Sequence, residues 1–158
     1  MLMERDPVVT VSQRFDEPPE VVFDAWLDPK VARRWMFTTG DDTNVRCDID
    51  ARVGGWFIIV DRRPDGDVEH AGQFLQIDRP RHLAFNFNLP ALNGDFDRVT
   101  VDIHPAHGGC ELVLTHEMKP KWAAYKARTE AGWSRMLDQL AKMVRGGLTK
   151  GGSEGPPV

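Results

Sequence analysis

KPKWAAYKARTEAGWSRMLDQLAKMVRGG, residues 119–147, is the longest stretch with a helical repeat, and what lies beneath it decides the fold. Trp122, Tyr125, Lys126, Thr129, Trp133, Met136, Leu137, Leu140, Met143 and Val144 fall in one broad arc at 100° per residue. Lys119-Pro120 opens this helix of about 25 residues, roughly 37 Å long, and Gly146-Gly147 ends it. The arc is not uniform. From Trp133 to Val144 it is wholly apolar, whereas its first half mixes Trp122 with Tyr125, Lys126 and Thr129. Polar tips among aromatic bodies fit the wall of a ligand cleft better than a sealed core. Gly132 lies at the margin of the arc, about 80° from its centre, and costs on the order of 1 kcal/mol relative to alanine. It suits close approach of a strand or loop backbone, or it is an exposed position with no packing role.

The residues before this helix read almost entirely as strands. VVTVSQRF, residues 8–15, alternates with the period of a half-buried strand. Pro18-Pro19 and Asp28-Pro29 then open two short helices, carrying Val22, Phe23, Trp26 and Leu27, then Val31, Trp35 and Met36. From residue 43 there are six extended runs separated by turn signals such as Pro64-Asp65-Gly66-Asp67, Asp78-Arg79-Pro80-Arg81 and Ala106-His107-Gly108-Gly109. The class is α+β: about seven antiparallel strands, two short helices after the first, and the long helix laid across the sheet. A twisted sheet of this width curls, so a straight helix touches it along only part of its length and a gap between them is expected. Residues 1–145 read as one domain, and 146–158, GGLTKGGSEGPPV, as a flexible tail.

With 158 residues, 41 % of them hydrophobic and 28 % charged, the chain can build one core. The net charge of -4 comes from acidic and basic residues mixed along the chain, which argues against a nucleic-acid partner. No run is long enough for a membrane span and no secretory signal opens the sequence, so a cytoplasmic location is expected. Cys47 and Cys110 read as two reduced thiols, with a pairing between them left open.

His104, His107 and Cys110 form H-x-x-H-x-x-C, but they sit at a hairpin tip and supply only three ligands, so no metal is expected and no cofactor either. His70 and His82 read as surface residues. Among the groups that could do acid-base work (Glu69, Asp97, Arg98, Asp102 and His116), His116 alone is read as inward, because it shares a strand face with Leu112 and Leu114. No catalytic residue is assigned, and no G-x-S-x-G or H-E-x-x-H motif is present.

PPEVVFDAWLDPKVARRW, RVGGWFIIV, GQFLQIDRPRHLAFNF, CELVLTHEM and GWSRMLDQLAKMV together resemble the family of homologues of the activator of heat-shock protein 90 ATPase. That family lies within the START-related, birch-pollen-allergen-like helix-grip superfamily, and the resemblance runs from about residue 8 to 145. It implies a curved antiparallel sheet gripping the last helix, with a cavity that in many relatives receives a hydrophobic small molecule. On this reading the cavity is lined by Trp35, Trp56, Phe85, Phe87, His116, Trp122, Tyr125, Lys126, Thr129, Trp133 and Met136. The expected partner is an apolar or amphipathic molecule, lipid-like or polyketide-like. Alternatives are a chaperone-associated interaction role, for which the name-giving members carry a further amino-terminal domain not seen here, and a cyclase- or hydrolase-like enzyme using His116. A homodimer through an exposed edge strand also stays open.

Overall fold

A computed structural model describes residues 7–40, 42–90 and 96–147. Its seven strands are β1 (Val8–Phe15), β2 (Asn44–Ile49), β3 (Trp56–Arg63), β4 (Gly66–Asp78), β5 (His82–Asn88), β6 (Asp97–Ala106) and β7 (Gly109–Glu117). Helices α1 (Pro19–Asp24) and α2 (Pro29–Ala32) follow β1, and α3 (Lys126–Arg145) closes the described chain. All seven strands form one antiparallel sheet in the order β1-β7-β6-β5-β4-β3-β2. The six later strands form a meander, each beside the one before it, because short turns leave no room for a crossover. β1 returns beside β7, with Val9 opposite His116 and Phe15 opposite Cys110.

The period-2 pattern holds across the sheet. In β1, Val9, Val11 and Phe15 are buried; in β3, Phe57, Ile59 and Asp61; in β6, Asp97, Val99, Val101 and Ile103; in β7, Cys110, Leu112, Leu114 and His116. The centre of the core is aromatic. Trp26 meets Trp35 edge-on with ring centroids 4.7 Å apart, and Phe57 meets Phe85 edge-on at 5.4 Å. Trp35 is held in place by its indole N–H, which donates to the Ala25 carbonyl at 3.2 Å.

The last helix differs from the single 25-residue helix expected. Pro120–Tyr125 forms a 3₁₀ turn, and α3 proper has 20 residues. Proline at the start supplies no N–H, and the turn buries no residue, with only Trp122 half covered, so packing does not enforce the wider α geometry there. The second half of α3 packs tightly: Trp133, Met136, Leu137, Leu140, Ala141, Met143 and Val144 are all buried. Gly146 caps the helix and Gly147 turns the chain with φ of 77°. Of the expected tail, residues 148–158 lie outside the described residues.

The two cysteines are free. They stand on β2 and β7, five strand steps apart or roughly 24 Å along the sheet, well beyond the reach of a disulfide. Burial pushes each thiol up to about 11, so neither is an activated nucleophile.

Candidate functional site

The space beneath the front of the last helix is hollow. A cavity of about 530 Å³ opens between the first turns of α3, the preceding 3₁₀ turn, the loop after α2 and the concave face of β3 to β7. Gly132 is on its wall, and a Cβ built there meets no atom outside its own helix within 4 Å. The glycine therefore faces space, and no strand or loop backbone approaches it as the sequence allowed.

Seven expected residues converge on this cavity: Phe87, His116, Trp122, Tyr125, Thr129, Trp133 and Met136. On α3 they follow the helical repeat, since Thr129, Gly132, Trp133 and Met136 share one face with Arg128 and Arg135. Four expected residues lie elsewhere. Lys126 falls off that face and is exposed. Trp35 and Phe85 are fully buried in the closed core around Trp26, and Trp56 is 49 % exposed with Phe96 against it at 6.1 Å. The alternation of β3 explains Trp56: Phe57 and Ile59 point inward, so their neighbour points out.

The structure adds residues that the sequence reading left out. Phe37, Thr38 and Thr39 enter from the loop after α2, Arg63, His70 and Asp97 from the strands, and Met118 from just past β7. His70, expected at the surface, is only 6 % exposed because it shares a β4 face with Gly72 and Phe74. Its Nδ1–H donates to the Ile59 carbonyl at 3.3 Å, and its ring stacks on Phe37 with centroids 4.5 Å apart. Asp97 passes the same parity test as His116, since it lies on the face of Val99, Val101 and Ile103.

Three side chains form a buried polar chain. Trp133 Nε1–H donates to His116 Nδ1 at 2.9 Å, and His116 Nε2–H donates to Asp97 Oδ2 at 2.9 Å. An indole N–H can only donate, so His116 Nδ1 must carry a lone pair and the ring proton sits on Nε2. Both ring nitrogens are thereby committed, and His116 keeps none to take a proton from water. The second oxygen of Asp97, Oδ1, is buried without a partner among the described residues.

The loop carrying Phe37 is held from two sides. Asp61 is buried; burial would raise its carboxyl, but hydrogen bonds from Arg63, Thr43 and Thr39 outweigh that and hold it below its ordinary value. Arg63 Nε–H donates to Asp61 Oδ2 at 2.8 Å, which fixes the guanidinium at the cavity edge. Phe37 itself has φ of 54°, a left-handed conformation costing about 1–3 kcal/mol in a bulky residue. Rings on several sides sustain it, with Phe87 at 5.1 Å and Trp133 at 5.4 Å, together with its own N–H against Met136 Sδ.

Burial lowers the His70 pKa to about 4, despite the Ile59 carbonyl that favours its charged form. Between the unfolded value near 6.5 and about 4, the unfolded chain binds a proton that the native chain refuses. Stability from this group is therefore complete above the upper value and falls as pH drops, by about 3 kcal/mol at most. Urea midpoints at pH 7 and 4.5 should show a larger acid loss in the native sequence than in His70→Gln. Equal losses would contradict the account.

His104 and His107 are exposed at the β6–β7 turn while Cys110 is buried, so the three do not converge. Among the described residues no group of three His, Cys, Asp or Glu side chains is placed to hold a metal ion, and no helix is long and apolar enough to cross a membrane.

A curved antiparallel sheet gripping a carboxy-terminal helix, with a cavity under that helix, defines a helix-grip domain of the START-related class. The chain belongs to the family described as Activator of Hsp90 ATPase homolog 1-like protein, whose model matches residues 16–145. Among solved structures, a protein of unknown function from Staphylococcus aureus is 18 % identical, with a TM-score of 0.79 over 91 % of this chain and 96 % of that one. The AHSA1-like protein from Aeromonas hydrophila is 23 % identical, with a TM-score of 0.76 over 91 % and 96 %. CalU16 from Micromonospora echinospora, also 23 % identical, gives 0.65 over 87 % and 75 %. At these identities the likenesses carry the fold and nothing further. No curated protein matches the chain by sequence.

Proposed function

We propose that this domain binds an apolar or amphipathic small molecule, lipid-like or polyketide-like, in the cavity between the sheet and α3. The observation that carries the reading is the empty space at Gly132, in a cavity whose 530 Å³ falls within the usual range of ligand pockets. Phe37, Phe87, Trp122 and Trp133 offer an apolar bed, while Arg63, Arg128 and Arg135 stand along its more exposed edge and suit a polar or anionic end. A binding role fits better than catalysis by His116, whose two nitrogens are already bonded inside the protein.

The test is titration with the fluorescent probe 8-anilinonaphthalene-1-sulfonate. Saturable enhancement is expected in the native sequence, with affinity at least tenfold weaker in Thr129→Trp at unchanged near-ultraviolet circular dichroism. Equal affinities would place the probe elsewhere and defeat the reading.

The family description, together with exposed Trp56 and Phe96 outside the cavity, favours a second reading as a protein-interaction module for a heat-shock chaperone. An unchanged chaperone ATPase rate on adding this protein would remove it.

A further inference from the structure

The concave face of the sheet carries a cation. Arg63 has the strand parity of Phe57, Ile59 and Asp61, so its side chain lies on the inner side of β3, and it forms part of the cavity wall. Asp61 sets its orientation. That carboxylate is fully buried, with Oδ1 accepting from the Thr39 backbone N–H at 3.4 Å and Oδ2 from Arg63 Nε–H at 2.8 Å. Nε is thereby turned toward the sealed side, while 35 % of the Arg63 side chain stays exposed. The far edge of the guanidinium, Nη1 and Nη2, meets no acceptor among the described residues. Two parallel N–H groups on a planar edge match the two oxygens of a carboxylate.

The helix side of the cavity adds charge of the same sign. Arg128 and Arg135 line it seven residues apart, roughly 10.5 Å along α3, and neither has an ion pair among the described residues. Arg128 lies over the Tyr125 ring at 5.3 Å. The one carboxylate on the wall among the described residues, Asp97, is engaged by His116. From residue 119 to 135 the chain carries five basic side chains and one acidic, although its net charge is -4. The field at this cavity therefore draws an anion and opposes a cation.

We infer that the ligand is an organic acid, its ionised carboxylate held by the Nη edge of Arg63 and its apolar body laid on Phe37, Phe87 and Trp133. This rests on the cavity-binding reading and narrows its ligand class from any amphipathic molecule to a carboxylate. A single negative charge is enough, because Asp61 already offsets Arg63, and because Arg128 and Arg135 stand too far apart to share one small head. Arg63 is then the residue that sets specificity, and the two helix arginines attract the acid without fixing its position.

The experiment is calorimetric titration with naphthalene-2-carboxylate and with naphthalene-2-carboxamide at pH 7, two probes of nearly the same shape that differ by one charge. The native sequence should prefer the carboxylate about tenfold or more, and salt at about 0.5 M should reduce that preference while leaving the carboxamide affinity unchanged. Arg63→Gln should lose the preference. In the native protein alone, the Arg63 Nε–H resonance should move with the carboxylate and stay still with the carboxamide, which decides the case if the variant fails to fold once Asp61 has lost its partner. Equal affinity of the two probes for the native protein, a carboxylate preference that survives in Arg63→Gln, or an Arg63 resonance indifferent to the carboxylate overturns the assignment and leaves the cavity reading standing. Binding of neither probe removes both.

Discussion

Gly132→Phe is expected to abolish binding of 8-anilinonaphthalene-1-sulfonate while making the protein more stable. The two effects share one cause. Gly132 is a helical residue on the cavity wall whose Cβ position meets nothing outside its own helix within 4 Å, so a side chain there has open space to enter. Replacing glycine inside a helix gains about 0.5 kcal/mol for phenylalanine and about 1 kcal/mol for alanine. For a domain of this size that raises the melting temperature by about 1–2 °C for phenylalanine and about 2–4 °C for alanine. Gly132→Ala should share the gain and keep the probe affinity within about twofold, since one methyl occupies little of 530 Å³. A phenylalanine variant that binds the probe as well as the parent would mean that the cavity is not where the probe sits. One that melts lower would mean that the space is already filled.

The largest loss of stability is expected for Gly72→Ala, on β4 opposite Phe87. A Cβ at residue 72 would stand 1.9 Å from the Asn86 carbonyl oxygen and 2.6 Å from Phe57 Cζ. The first of these is backbone within the β4–β5 ladder, so relief requires the two strands to part. The cost is about 3 kcal/mol or more, read as a lower urea midpoint with an unchanged slope. Because Phe87 forms part of the cavity wall, ligand affinity should fall with it. A midpoint within about 0.5 kcal/mol of the parent would show that the strands are not packed this closely.

These two glycines show what was legible in the sequence. The helix-grip architecture was, because strand alternation and turn residues give local signals and because one long amphipathic helix has a sheet as its only available partner. The location of the cavity was also legible, in the change of polarity between Tyr125 and Trp133. What lines it was only half readable. Asp97 and His70 carried their signal in strand parity, beside Val99 and Phe74, and that same parity places Trp56 outside. Phe37 gave none: its left-handed backbone and its stacking on His70 arise from contacts between segments more than 30 residues apart. Trp35 misled for a related reason, since a four-residue helix is too short for periodicity to tell core from cavity. The roles of Arg63 and Asp61 depend on a hydrogen bond to the loop that neither strand pattern nor composition encodes.

The central claim, that this domain receives a small molecule beneath the front of α3, is tested most directly by amide and indole ¹H–¹⁵N spectra during titration with naphthalene-2-carboxylate. The account predicts saturable shifts concentrated at Phe37, Phe87, His116, Gly132 and the Trp133 indole, with Leu140 and Val144 unmoved. Shifts confined to the exposed pair Trp56 and Phe96, or no saturable shifts at all, would contradict it.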